Sequence, residues 1–211
     1  MQEQNLWELL AEVGWTMVPI YVCSVFVVML TIRKVLDFTA ARLADVRWLD
    51  AVIVGLRERD LESAQQAAAA TRHPAGAVAE AFIHAMADKP EQADDEARRA
   101  GLEAIAGLER NMRPLALCAE IAPLLGLLGT VVGMVELFQG IQGQQTGSMA
   151  MEALSGGIWK ALLTTAAGLT VAVPALSVHA YLTSRVARFR VQLTTVVQRL
   201  RYAYPSSDPR S

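Results

Sequence analysis

The sequence of 211 residues is poor in the groups from which most enzymes and metal centres are built. It has 2 cysteines, Cys23 and Cys118, and 3 histidines, His73, His84 and His179, none at ligand spacing. No sequence signal therefore supports a disulfide or a metal site, and all five side chains read as structural or solvent-facing. There is no HExxH, no CxxC and no Ser/His/Asp set. The glycines of GLLGTVVG have helix-packing spacing and follow no strand, so they do not make a phosphate loop. No catalytic residue, cofactor, metal or nucleic-acid partner is expected. If the protein does work, its energy must come from elsewhere, and an ion gradient is the obvious source.

Charge is missing in particular places. No Lys or Arg occurs in residues 1–32, and none between Glu120 and Trp159. Residues 13–32 carry no charge at all, residues 114–151 carry only Glu120 and Glu136, and residues 161–184 carry none. A spanning helix needs about 20 mainly apolar residues, so the sequence predicts an all-α membrane protein with three transmembrane helices. The first run lacks a basic leader, because Glu3, Glu8 and Glu12 precede it, and is read as a retained helix. Arg33, Lys34, Arg42 and Arg47 follow the first run, Arg110 and Arg113 precede the second, and Arg185, Arg188 and Arg190 follow the third. The positive-inside rule then places the N-terminus outside and the C-terminus inside.

The expected organisation follows from these runs. Residues 1–13 form an outer amphipathic segment anchored by Trp7 and Trp15, 14–36 the first membrane helix, and 37–113 a cytoplasmic helical domain. Residues 114–140 form the second membrane helix, 141–156 a short outer loop and 157–183 the third. Residues 184–204 form a cytoplasmic amphipathic helix, and 205–211 a disordered tail. Within 37–113, breaks at His73-Pro74 and Lys89-Pro90 predict helices over 38–58, 61–71, 75–87 and 91–113, with Asp60 as an N-cap. The last of these is expected to run into the second membrane helix as one rod, bent at Pro114 and Pro123 without ending. Beyond the third run, Val186, Phe189, Leu193, Val196, Val197 and Leu200 keep a helical stripe that should pack on 91–113.

Two stretches carry the polar groups of the membrane region. Residues 122–133 read APLLGLLGTVVG, and Gly126, Gly129, Thr130 and Gly133 share one helix face. Residues 162–174 read LLTTAAGLTVAVP, with Ala161, Thr164, Thr165, Gly168 and Ala172 on one small face. Two smooth, hydroxylated faces are expected to meet, either as plain helix packing or as the lining of a path. Glu136 and Lys160 are the charges within the runs. If Thr130 and Thr165 sit level, these two also sit level and could pair; otherwise each snorkels to the outer interface. Glu120 marks an inner mouth or reaches headgroups. Pro123 and Pro174 shape their helices.

Three of these pieces resemble the ExbB/TolQ/MotA family of proton-channel subunits: 14–24 (GWTMVPIYVCS), 122–133, and 157–174 (GIWKALLTTAAGLTVAVP). The three-helix topology is similar to the ExbB/TolQ branch, and the resemblance covers about residues 12–200. It implies a homopentamer whose second and third helices line a pore in the bacterial inner membrane. It also implies a single-pass partner of the ExbD/TolR type, whose aspartate carries the proton, and a TonB- or TolA-like periplasmic protein that receives the work. By motif position, Thr130 and Thr165 match the family's pore threonines. Lys160 departs from the pattern, which usually has glutamate there; either Glu136 compensates or that position is not a required relay. The resemblance implies an ExbB-like motor, with TolQ-like envelope maintenance or a non-conducting scaffold as the alternatives.

Overall fold

The computed structural model of the protein describes residues 17–41, 45–142 and 148–204, with side chains throughout except at 141–142 and 148–153. Seven α-helices and one 3-10 turn make up the described chain, with no strand among the described residues. They are α1 Val18–Ala40, α2 Arg47–Arg57, α3 Leu61–Ala69, α4 Ala75–Asp88, a turn at Pro90–Gln92, α5 Ala93–Glu109, α6 Met112–Gln142 and α7 Ser148–Ala203. Stretches in α1, α6 and α7 are long and apolar enough to cross a membrane. The expected outer segment 1–13 and the tail 205–211 lie outside the described residues.

The chain divides into two compact units, one holding the described residues up to Ile32 together with Asn111 to Ala180, the other Arg33–Arg110 and the chain from Tyr181 onward. In the first unit, Met17, just before α1, and Ile20 of α1 are buried against Leu125 of α6 and Leu163, Ala167 and Val171 of α7. The outer surfaces of all three helices are apolar: Val25 is 68% exposed, Leu124 63% and Leu162 61%. Surface of that kind is stable in lipid and unfavourable in water.

The second unit is a small helical domain. Leu49, Val52 and Leu56 form the buried stripe of α2. Arg59 then takes a left-handed conformation at φ 58°, which stops the helix. Asp60 caps α3, its carboxylate accepting from Ser63 N–H at 3.0 Å, as the sequence predicts. The α2–α3 hairpin closes tightly at Gly55, where a Cβ would lie 2.9 Å from Ala64 N. His73 does for α4 what Asp60 does for α3: its Nδ1 accepts from Ala75 N–H at 3.1 Å. The His73 ring is buried, with Trp48 of α2 and Phe189 of α7 at centroid distances of 5.6 and 5.7 Å. Asp94, Asp95 and Glu96 occupy the first turn of α5, where they complement the dipole. In α7, Leu182, Val186, Phe189, Leu193, Val196, Leu200 and Ala203 are buried in a 4-3 repeat. Arg190 meets Glu109 at 3.1 Å and Arg201 meets Asp94 at 3.7 Å, which fixes the α7 stripe on α5 as expected.

Helix bounds differ from expectation at three places. The helix expected over 38–58 is two elements, α1 ending at Ala40 and α2 starting at Arg47. The expected continuous rod through 113 is interrupted: Arg110 has ψ 134° and Asn111 φ 64°. Asparagine tolerates the left-handed region better than most residues, so it can stop a helix without glycine. Pro114 then falls in the first turn of α6, where its missing N–H matters least. The third change is at the start of α7, which begins at Ser148, nine residues before the expected membrane helix.

Candidate ion-pathway site on α6 and α7

The two small faces meet within the chain. A Cβ on Gly168 would lie 2.6 Å from the Ala122 carbonyl oxygen and 3.1 Å from Gly126 Cα. One on Gly126 would lie 3.0 Å from the Thr164 carbonyl oxygen and 3.0 Å from Thr165 Cα. One on Gly129 would lie 2.7 Å from Thr164 Oγ1, and one on Gly133 3.3 Å from Ala161 Cβ. The glycines therefore set a ladder between two antiparallel helices: Gly126 opposite Thr165, Gly129 opposite Thr164, Gly133 opposite Ala161, and Leu137 opposite Gly157. Any larger side chain would push the backbones apart.

Hydroxyls line this ladder. Thr165 Oγ1 crosses to the Gly126 carbonyl at 3.1 Å. Thr164 Oγ1 donates to the Ala161 carbonyl at 2.7 Å and is 1% exposed, so it is enclosed in the contact. Thr130 Oγ1 donates to the Leu127 carbonyl at 2.6 Å. Unlike Thr164, both Thr130 and Thr165 remain partly exposed at the edge of the ladder. Each hydroxyl has its proton engaged on a backbone carbonyl and keeps lone pairs that can accept from water or from a protonated acid. Neither titrates near neutral pH, so this face can relay or orient a proton but cannot store one.

The threonines do not sit level. Thr165 is opposite Gly126, and Thr130 lies four residues farther along α6, about 6 Å at 1.5 Å per residue. Glu136 and Lys160 are nearer to level: with Gly133 opposite Ala161 and Leu137 opposite Gly157, they are offset by about two residues, about 3 Å along the axis. No ion pair joins them among the described residues; Glu136 is exposed and Lys160 partly buried. Glu120 is exposed on α6. Pro123 and Pro174 both lie inside helices that continue past them. Cys23 and Cys118 are free thiols, and no group of three or more metal-ligating side chains occurs among the described residues. Sequence reasoning counted Lys34 only as one of several inside charges, whereas it is buried, with its Nζ 3.0 Å from the Leu108 carbonyl.

The model of the MotA/TolQ/ExbB proton channel family matches residues 70–195, which include all of α6 and the whole ladder. The chain belongs to this family. Biopolymer transport protein exbB1 of Vibrio cholerae is 32% identical over 188 residues, covering 82% of this chain and 77% of that protein. The Tol-Pal system protein TolQ of Haemophilus influenzae is 34% identical over 102 residues, 45% of this chain and 44% of that one. The ExbB protein of Pseudomonas putida is 36% identical over 94 residues, 43% of this chain and 28% of that one. These likenesses place the chain in the ExbB/TolQ branch of the proton-channel family. Most of the matched residues lie in the part of the chain that carries α4 to α7, so the family signature and the ladder coincide.

Proposed function

We propose that this protein is an inner-membrane, proton-driven motor subunit of the ExbB type. In this reading it assembles as a homopentamer, with its N-terminus outside and residues 37–113 and 184–204 in the cytoplasm. Its α6 and α7 surround the single helix of an ExbD/TolR-type partner, and the assembly delivers work to a TonB-like periplasmic protein for outer-membrane transport. One observation carries the proposal: the rungs of the α6–α7 ladder present the partly exposed hydroxyls of Thr130 and Thr165, and none of the residues that form the rungs is an acid. A proton moving along that face needs its acid from another chain, and a carboxylate on a partner helix is the group that fits. Gly126, Gly129, Gly133, Gly168 and Thr164 then hold the wall together, while Thr130 and Thr165 face the path.

A TolQ-like role in envelope maintenance is the second reading, favoured by the likeness to the Haemophilus protein. The periplasmic protein that co-purifies decides between them, TonB-like for the first and TolA-like for the second. The test of the pathway itself is the double variant Thr130→Val, Thr165→Val in cells that depend on energised uptake. Valine keeps the shape and removes the hydroxyls. Uptake should be lost while the partner still co-purifies at unchanged stoichiometry. Undiminished uptake would refute the pathway role and leave a non-conducting scaffold.

A further inference from the structure

The last turn of α5 contains no basic residue. A helix C-terminus carries negative partial charge and leaves carbonyls without intrahelical donors. In α5 the Ala106 carbonyl accepts from Arg110 N–H at 2.9 Å. The Leu108 carbonyl finds its donor 74 residues upstream, in the ammonium of Lys34 on α1, at 3.0 Å. Lys34 is only 3% exposed. Its Nζ stands 5.9 Å from the centroid of Phe38, one turn along the same helix. Asp37, Arg33 and Arg110 are charged groups within its electrostatic reach, and no carboxylate lies within 4.0 Å of it among the described residues. A buried ammonium with no carboxylate in contact is costly unless its protons and charge are used. Here the carbonyl end of α5 and the Phe38 ring face use them.

We propose that Lys34 is the C-terminal cap of α5, supplied by a different helix, and that it latches the last turn of α5 and so fixes where that helix stops. A cap usually comes from the helix's own last turn. Taking it from α1 makes the end of α5 conditional on the placement of the Arg33–Ala40 segment. Without the cap, the Leu108 carbonyl is left buried without a donor, since Leu108 is itself 8% exposed. The turn before the left-handed Asn111 would then open. This inference does not depend on the ion, the partner or the oligomer proposed above.

The experiment is amide hydrogen exchange on the full-length chain in detergent, read over residues 104–112. Lys34→Met keeps the aliphatic stem and removes the charge. Exchange in the last turn of α5 should accelerate roughly ten-fold or more, with α4 unaffected. Lys34→Arg should stay within a few-fold of the unaltered protein. The decisive variants add a local substitute. A Cβ at Gly107 meets nothing within 4 Å, so a longer side chain fits there without clash. Gly107→Lys in the Lys34→Met background puts a cation in α5's own last turn and should restore most of the protection. Gly107→Gln gives similar helix propensity without charge and should not. Unchanged exchange in Lys34→Met overturns the proposal, as does equal recovery, or none, with lysine and glutamine at 107. If Lys34→Met fails to fold, recovery of folding by Gly107→Lys alone supports the cap, and failure of both double variants overturns it.

Discussion

Gly168→Ala tests the ladder directly. The added Cβ would stand 2.6 Å from the Ala122 carbonyl oxygen and 3.1 Å from Gly126 Cα, and both obstacles are backbone. Backbone cannot rotate out of the way as a side chain can. To restore ordinary contact, α6 and α7 must separate by about 0.8 Å at this point. That separation would stretch the Thr165 Oγ1 to Gly126 carbonyl bond, now 3.1 Å, beyond useful length. Overpacking of this size costs about 1–3 kcal/mol, and the lost hydrogen bond about 1 kcal/mol more. Alanine's better helix propensity returns about 0.5–1 kcal/mol, so a net loss of about 2 kcal/mol is expected. Gly107→Ala is the matched control, because it lies in helix α5 and its Cβ meets nothing within 4 Å. It should be neutral or stabilising by about 0.5–1 kcal/mol. Reversible unfolding of the two variants in the same detergent measures the difference. If Gly168→Ala is as stable as Gly107→Ala, the Gly126–Gly168 approach is not the contact that sets the register.

The helical domain gives two further expectations. Asp60→Ala removes the acceptor of Ser63 N–H and should cost about 1 kcal/mol, seen as faster amide exchange confined to the first turn of α3. Phe189→Ala removes a side chain that is 1% exposed and packed at a tilt against the His73 ring; it should cost about 3–5 kcal/mol in chemical denaturation and shift the fluorescence of Trp48, which packs on the same His73 ring.

What the sequence made legible were features encoded within one helix. The apolar runs of α1, α6 and α7 exceed what a buried core helix needs, so they announce themselves by length alone. Asp60, three residues before Ser63, is a local cap, and the 4-3 stripe of α7 is a local period. What stayed hidden depends on where two helices touch. The break at Asn111 has no glycine to signal it. The early start of α7 runs through Met, Ala, Glu and Leu, good helix formers that also look like a loop beside the Gly- and Gln-rich residues around them. The level of Thr130 against Thr165 was open because both motifs name faces and neither names a register. Gly126 and Gly168 settle it by closest approach. Lys34 was invisible because its acceptor is a backbone carbonyl 74 residues away, and a carbonyl leaves no mark in a sequence.

The register also gives Lys160 a consequence. Lys160 precedes Thr165 by five residues on α7, about 7.5 Å along the axis, and no carboxylate among the described residues pairs with it. A cation passing the Thr165 hydroxyl on the proposed path feels that ammonium. At about 7.5 Å and an effective dielectric constant of about 20, the repulsion is about 2 kcal/mol, which slows passage roughly thirty-fold if nothing offsets it. A partner acid or a Glu136 carboxylate would offset it; among the described residues no carboxylate lies within 4.0 Å of the ammonium. Lys160→Met removes the charge and keeps the stem. In vesicles holding the assembled complex, a path limited by this repulsion should carry protons faster in Lys160→Met, and faster still in Lys160→Glu, which replaces the cation by the acid that the resemblance leads one to expect there. Abolition of flux by Lys160→Met would refute this. It would mean that the ammonium is a needed partner, held against an acid supplied by another chain, and that the departure from the family pattern is part of the pathway.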